Sequence, residues 1–92
     1  MNQSILFPDL QDWEPQALSV VFPVQVQGVN VECRIGLAKL AELSATALSA
    51  DQHDIASKAL TIFDEYRFDI EDEVEQLIEQ ESFDELGRVI LI

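Results

Sequence analysis

Two runs of alternating apolar residues in the N-terminal half of the chain predict a β-hairpin. A two-residue turn at residues 27–28, with Gly28 free to adopt a positive φ, sets Val26 opposite Val29. In that register every apolar member of both runs lies on one face, as a half-buried sheet requires. The residues of this face are Val20, Phe22, Val24, Val26, Val29, Val31, Cys33 and Ile35.

The opposite face of the hairpin carries Val21, Pro23, Gln25, Glu32 and Arg34. Proline cannot donate a hydrogen bond to a neighbouring strand. We therefore expect the strand of Pro23 to lie at an edge, or the position of its missing donor to point away from the ladder. Residues 9–16, which precede the hairpin, read as a turn that contains Trp13.

Helical periodicity follows the hairpin. Residues 37–45 predict a short helix, and Ser49 with Gln52 three residues later forms a capping-box pattern that opens a long helix over residues 50–81. Apolar residues recur along this segment at spacings of three and four, which gives the helix one buried stripe. The stripe consists of Ile55, Ala59, Phe63, Tyr66, Ile70, Val74, Leu77 and Ile78.

The predicted long helix is too long for its sheet. About thirty helical residues span about 45 Å, whereas an eight-residue strand covers about 27 Å. The helix therefore overhangs the sheet, breaks in the middle, or packs on a second copy of the chain as a homodimer. A break near Arg67 and Phe68 would bury Phe68 differently and make Asp69 a new N-cap, but no Gly or Pro marks such a break. We therefore expect one continuous helix, on which Phe68 points away from the stripe.

These elements predict a two-layer α+β domain over residues 1–92. A small antiparallel sheet of three to four strands would contain the hairpin at residues 18–36, a terminal strand at residues 88–92 and a strand at residues 5–7. Its apolar face would pack against the long C-terminal helix and the short helix.

Charge separates this chain from an ordinary small domain. Its 18 acidic and 5 basic residues give a net charge of −13, which disfavours direct binding to nucleic acid or to anionic membranes. Eleven of the acids and only one base, Arg67, lie from Asp64 to Glu85. This cluster is typical of a solvated helix face, and the alternatives are a docking surface for a basic protein and a mimic of nucleic-acid charge. The candidate partner surface comprises Asp64, Phe68, Glu71, Asp72, Glu75 and Glu79.

Few residues point to catalysis. We expect Cys33 to be a buried, inert thiol, His53 an exposed residue in the first turn of the long helix, and Trp13 a cap over the core. The sequence has no phosphate-binding glycine loop, nucleophile elbow or zinc-protease motif, so we predict no catalytic, cofactor-binding or metal-binding residue and no enzyme. The alternative is a small-ligand or catalytic protein with a pocket near Trp13 and Cys33. With neither a signal peptide nor a long apolar run, the expected compartment is the cytoplasm.

The chain also resembles a family of bacterial proteins, domain of unknown function 1488. The resemblance rests on the order of short segments at residues 7–9, 21–23, 27–28, 33–35 and 63–71, together with Trp13, Leu40 and Gly87, and it covers nearly the whole chain. It implies a compact α+β fold in a bacterial cytoplasm and no assigned activity. Residues 45–53 depart from the family pattern and look like a small insertion.

Overall fold

The computed structural model describes residues 5–92, which form a mixed β-sheet and three helices. The elements in chain order are β1 (Ile5–Leu6), β2 (Asp12–Glu14), β3 (Ser19–Val26), β4 (Val29–Gly36), α1 (Leu37–Ser44), α2 (Ile55–Glu65), α3 (Arg67–Glu79) and β5 (Val89–Leu91). The strand order is β1-β3-β4-β5, and β2 pairs with β3 beside β1. The predicted α+β class is confirmed.

The hairpin of β3 and β4 has the predicted register. Val26 lies opposite Val29, and the pairing continues without a slip to Ser19 opposite Gly36. Gln27 and Gly28 both have positive φ, which matches the right-handed twist of the strands. One detail of the predicted face is wrong, because Val29 at the tip of the hairpin is 64% exposed.

The terminal strand runs in a direction that the sequence did not indicate. We predicted an antiparallel sheet, but β5 pairs with β4 in parallel, with Cys33 opposite Val89 and Ile35 opposite Leu91. The reason is topological, since the chain leaves β4 and returns only after three helices. A connection of that length can bring a strand back in the same direction as its neighbour.

The segment before the hairpin is a strand rather than only a turn. β2 pairs with Ser19, Val20 and Val21 of β3, whereas β1 pairs with Gln25 and Val26. Pro23 lies between these two stretches, so neither strand pairs with it on that side. This position agrees with the prediction that proline would fall where no donor is needed. Trp13 of β2 is half-buried against the core, as expected.

The predicted continuous helix over residues 50–81 is wrong at its start and in its middle, and the residue that caps the second half is Tyr66 rather than Asp69. The helix begins only at Ile55, and it is interrupted at Tyr66, where φ is −107° and ψ is 23°. The break allows α2 to pack against β2 and β3 while α3 packs against β5. Each half therefore reaches the sheet, and helix length no longer requires a second copy of the chain.

The capping-box hydrogen bonds form, but they close a turn ahead of the helix. The backbone N–H of Ser49 donates to Oε1 of Gln52, and the backbone N–H of Asp51 donates to the hydroxyl of Ser49. Each side chain thus satisfies a backbone N–H group. The bond to Gln52 is the one that the capping-box pattern predicts, whereas the hydroxyl of Ser49 accepts from Asp51 rather than from the N–H of Gln52. The helix nevertheless starts three residues after Gln52, because residues 53–54 form another turn.

The core unites one face of the sheet with the helices. Phe22 of β3 and Phe63 of α2 form its aromatic centre, with ring centroids 4.9 Å apart and planes tilted by 55°. The predicted stripe is largely confirmed, since Ala59, Phe63, Ile70, Val74 and Ile78 are buried and its other members are half-buried. Val20, Val24, Cys33, Ile35, Leu40, Ile62, Val89 and Leu91 complete the buried cluster.

Candidate interaction surface

Phe68 is the most exposed aromatic side chain of the described residues, with 83% of its surface accessible. It lies in the first turn of α3, between the core residues Tyr66 and Ile70. Residues that pack inward at those positions turn Phe68 outward, because neighbours in a helix are about 100° apart around its axis. The sequence placed Phe68 outward only for a continuous helix, and Phe68 is exposed although the helix is interrupted at Tyr66.

Carboxylates lie on the same side of the helix as Phe68. Asp72, Glu75 and Glu79 follow it at spacings of three and four, which places them along one side of α3. Asp64 precedes it by four residues in the last turn of α2. All four acids are exposed. We call this surface the Phe68 face, and it consists of Asp64, Phe68, Asp72, Glu75 and Glu79.

Helical hydrogen bonds persist on both sides of the interruption, so Asp64 stays close to the α3 part of the Phe68 face. The backbone N–H of Tyr66 donates to the carbonyl of Ile62 at 3.0 Å, and Tyr66 accepts from the N–H of Ile70 at 3.0 Å. The interruption is therefore a local change in backbone direction rather than a loop. It keeps the acids of α2 and α3 on one continuous surface.

Glu71, the sixth residue of the predicted partner surface, has a different role. Its Oε2 is 3.0 Å from Nε of Arg67 in a half-buried ion pair. Its charge is therefore compensated within the chain. We leave Glu71 out of the Phe68 face for this reason.

Arg67 contacts three parts of the structure at the helix break, namely α2, α3 and the segment between β1 and β2. Besides Glu71, its guanidinium donates to Oε1 of Gln11 at 3.1 Å and to the carbonyl of Pro8 at 3.1 Å. Its Cζ atom lies 5.5 Å from the ring centroid of Phe63. The sequence showed only a lone base among acids with Glu71 one turn away. No local pattern connects it to residues 8–11, which lie more than fifty positions earlier.

All five basic side chains of the chain form ion pairs. Lys39 contacts Glu73 at 3.3 Å, and Lys58, Arg34, Arg67 and Arg88 each have an acidic partner. Of the eleven acids from Asp64 to Glu85, only Glu71, Glu73 and Asp84 have a basic partner in the part of the chain that the structure describes. The eight others are Asp64, Glu65, Asp69, Asp72, Glu75, Glu79, Glu81 and Glu85. The negative charge of the Phe68 face is therefore uncompensated.

Asp84 closes the turn that leads into β5. Its Oδ1 accepts the backbone N–H groups of Arg88 at 2.7 Å and Leu86 at 3.0 Å, and its Oδ2 accepts Nε of Arg88 at 2.7 Å. The pKa of this carboxyl group is lowered, first by the backbone hydrogen bond from Arg88. The side-chain hydrogen bond and charge of Arg88 and the backbone hydrogen bond from Leu86 lower it further. This acid serves the fold and lies outside the Phe68 face.

Cys33 has no access to solvent. The thiol is fully buried on the core face of β4, and this burial, with a smaller contribution from the charge of Glu32, raises its pKa to about 12. His53 is exposed in the turns before α2. The burial predicted for Cys33 and the exposure predicted for His53 are confirmed, although His53 lies before the helix rather than in its first turn. The catalytic alternative thus loses Cys33 as an accessible nucleophile. Within residues 5–92, no three His, Cys, Asp and Glu side chains are placed to hold a metal ion.

A groove of about 580 Å³ is lined by residues of β3 and β4 and by Leu10, Gln11 and Asp12 at the start of β2. Val21 and Pro23 come from the face of the hairpin opposite the core, Leu10 is 66% exposed, and Asp12 and Glu32 provide carboxylates. A smaller hollow of about 240 Å³ includes Trp13 and Arg34. Sequence reasoning placed a pocket near Trp13 and Cys33 together, but alternation along β4 turns Cys33 to the other face. Leu10, an apolar residue in a polar segment, was the missed signal.

The helices of residues 5–92 are all too short or too polar to cross a membrane.

Comparison with known proteins gives a consistent family assignment. Residues 5–91 match the family model described as protein of unknown function (DUF1488). The uncharacterized protein YrdB of Escherichia coli strain K12 is 35% identical over 91 residues, which cover 99% of both chains. YrdB of Shigella flexneri is 34% identical with the same coverage.

A solved structure supports the same assignment. The crystal structure of a DUF1488 protein of unknown function from Shewanella loihica PV-4 superposes with a TM-score of 0.88 at 38% sequence identity. The match covers 99% of this chain and 94% of that one. The family resemblance carried by the short sequence segments is thus confirmed, and the chain belongs to the DUF1488 family of proteins of unknown function.

Proposed function

We propose that this chain is a non-enzymatic interaction module that docks a basic segment of another protein on the Phe68 face. The observation that carries the proposal is the side chain of Phe68, 83% exposed among carboxylates that have no basic partner. An aromatic ring in water gains free energy when a partner covers it, and aromatic residues are enriched in the centres of protein interfaces.

The charge around the ring selects the class of partner. Asp64, Asp72, Glu75 and Glu79 would repel an acidic surface and attract a basic one before contact. This attraction would raise the association rate and would weaken as salt screens it, with a Debye length of about 8 Å at physiological ionic strength. A basic partner, salt-sensitive binding and dependence on Phe68 are thus three linked expectations.

Affinity capture with matched charge variants tests the proposal. The test variant replaces Asp72, Glu75 and Glu79 by their amides, and the control variant does the same at Asp12, Glu14 and Asp51. Both raise the net charge by three. Asp12 accepts a hydrogen bond from Trp13, and an amide oxygen at that position can still accept it.

We expect the wild type and the control variant to capture the same basic protein at low salt. The test variant and Phe68→Ala should lose it, and high salt should release it from the wild type. Equal capture by the test and control variants would overturn the proposal, because binding would then depend on net charge alone. If added duplex DNA displaces the captured protein, that protein binds nucleic acid, and the acids of the Phe68 face occupy its nucleic-acid site.

The groove over β3 and β4 favours a second candidate function, the binding of a small ligand. Its volume of about 580 Å³ falls in the range of about 300–1,000 Å³ that is common for ligand sites. Leu10, Val21 and Pro23 would contact an apolar part, and the carboxylate of Asp12 favours a neutral or cationic ligand. Ligand-observed NMR against a library of apolar amines tests this idea, with Val21→Trp as the variant that fills the groove. Binding that Val21→Trp leaves unchanged would exclude the groove.

A further inference from the structure

The chain already binds one guanidinium group at the helix break, and the arrangement shows which groups are used. Arg67 places its Cζ atom 5.5 Å from the ring centroid of Phe63 and its Nε atom 3.0 Å from Oε2 of Glu71. An aromatic face and a carboxylate thus hold the cation from two sides. A planar guanidinium suits this combination, because it can lie over a ring while its N–H groups donate within its own plane.

The Phe68 face offers the same two kinds of group with no cation between them. The ring of Phe68 is exposed, and Asp72 follows it by one turn in α3, where side chains four residues apart have Cβ atoms about 5–6 Å from each other. Asp64 approaches from the opposite side, one turn before. Neither carboxylate has a basic partner among residues 5–92.

A second copy of this chain does not supply the missing cation. Each of its five basic side chains already has an acidic partner of its own. A copy would also bring 18 further acids, which repel the Phe68 face. Charge complementarity therefore favours a different, basic chain as the occupant.

We propose that Phe68 and Asp72, with Asp64 beside them, bind an arginine side chain of the partner. The inference rests on the proposed function and specifies its central contact. The guanidinium lies on the ring of Phe68 and donates to the carboxylate of Asp72, as Arg67 does with Phe63 and Glu71. A lysine ammonium is a more strongly hydrated point charge without a planar fork, so it fits this pair of groups less well.

NMR titration of the ¹⁵N-labelled full chain tests the inference with two defined probes. One probe is an arginine-rich peptide, and the other is its lysine counterpart of equal length and charge. Phe68→Leu is the key variant, because leucine keeps an apolar side chain and removes the aromatic face. Phe83→Leu is its matched control, since Phe83 is also partly exposed but lies outside the Phe68 face.

We expect the arginine peptide to shift the amide signals of residues 64–79 and to bind the wild type more tightly than the lysine peptide. Phe68→Leu should lower the affinity for the arginine peptide by a factor of about two to five, which is the size of an exposed cation–π contact. It should also remove most of the preference for the arginine peptide over the lysine peptide. Phe83→Leu should change neither.

Two other outcomes count against the account in different ways. If both peptides bind the wild type and Phe68→Leu equally, the arginine site is overturned, while a general acidic docking surface still stands. If neither peptide shifts residues 64–79 at low salt, both the arginine site and the proposed function are overturned.

Discussion

The guanidinium of Arg67 donates a hydrogen bond from Nη2 to the carbonyl oxygen of Pro8 at 3.1 Å, across 59 positions of the chain. This contact ties the segment between β1 and β2 to the point where the helix breaks. Arg67 belongs to α3, so the same residue fixes the start of the helix that carries the Phe68 face. The geometry of the candidate surface thus depends on a contact outside it.

Replacing Arg67 by Lys tests this dependence. Lysine keeps the charge but cannot reach Glu71, Gln11 and the carbonyl of Pro8 with one planar group. We expect the free energy of unfolding, measured with urea, to fall by about 1–2 kcal/mol. The same exchange at Arg34, whose hydrogen bond joins only Glu32, should cost less than about 0.5 kcal/mol. Equal losses at the two positions would contradict the role given to Arg67.

Alanine substitutions of Phe63 and Phe68, which flank the helix break, should have very different effects on stability, because one ring lies in the core and the other on the surface. Phe63 is 1% exposed and packs on Phe22, so Phe63→Ala should lower the free energy of unfolding by about 3–5 kcal/mol. Phe68→Ala removes an exposed ring and should change it by less than about 0.5 kcal/mol. Urea denaturation of both variants gives the comparison. A large loss for Phe68→Ala would mean that its ring serves the fold.

Local pattern predicted those parts of the structure that depend on local spacing. Alternation and Gly28 were sufficient for the register of the hairpin, and spacings of three and four were sufficient for the buried stripe. The direction of β5 was not predictable in this way, because a three-residue strand pairs equally well in either direction until the helices fix its path.

Local sequence pattern also could not predict the helix break. No Gly or Pro marks Tyr66, and the apolar stripe runs through it. The break is favoured by packing on the sheet and by the contacts of Arg67 with residues 8–11. Those partners are distant in sequence, so a pattern within the helix carried no sign of them.

The hydrogen bonds of Asp84 predict a pH-dependent contribution to stability. Its pKa in the folded chain is lower than the value of about 3.9 for an unfolded aspartate, so the charged form stabilises the fold. This contribution is present above about pH 4 and is lost as the pH falls through the folded pKa. Asp84→Asn should therefore lower the melting temperature at neutral pH, and its difference from the wild type should shrink in acid.

Glu85→Gln is the control for this experiment, because Glu85 is exposed and has no basic partner. Its melting temperature should follow that of the wild type at every pH. If Asp84→Asn differed from the wild type by the same amount at pH 7 and at about pH 3, the carboxylate would not contribute through its charge.

The thiol of Cys33 should be unreactive in the folded protein. It is fully buried and its pKa is raised to about 12, so at neutral pH it is protonated and shielded from reagents. We expect iodoacetamide to label Cys33 only after urea unfolds the chain, as followed by intact mass. Rapid labelling of the native protein would restore Cys33 as a candidate functional group.

Site-specific photo-crosslinking tests the central claim, that the Phe68 face is where this protein meets a basic partner. A benzophenone-bearing amino acid would replace Phe68 in one variant and Ser57, an exposed residue of α2 outside that face, in another. We predict that position 68 crosslinks in cells to one basic protein, that position 57 does not, and that the Asp72, Glu75 and Glu79 amide variant abolishes the product. Crosslinks that are identical at the two positions, or that survive neutralisation of the three acids, would contradict the account.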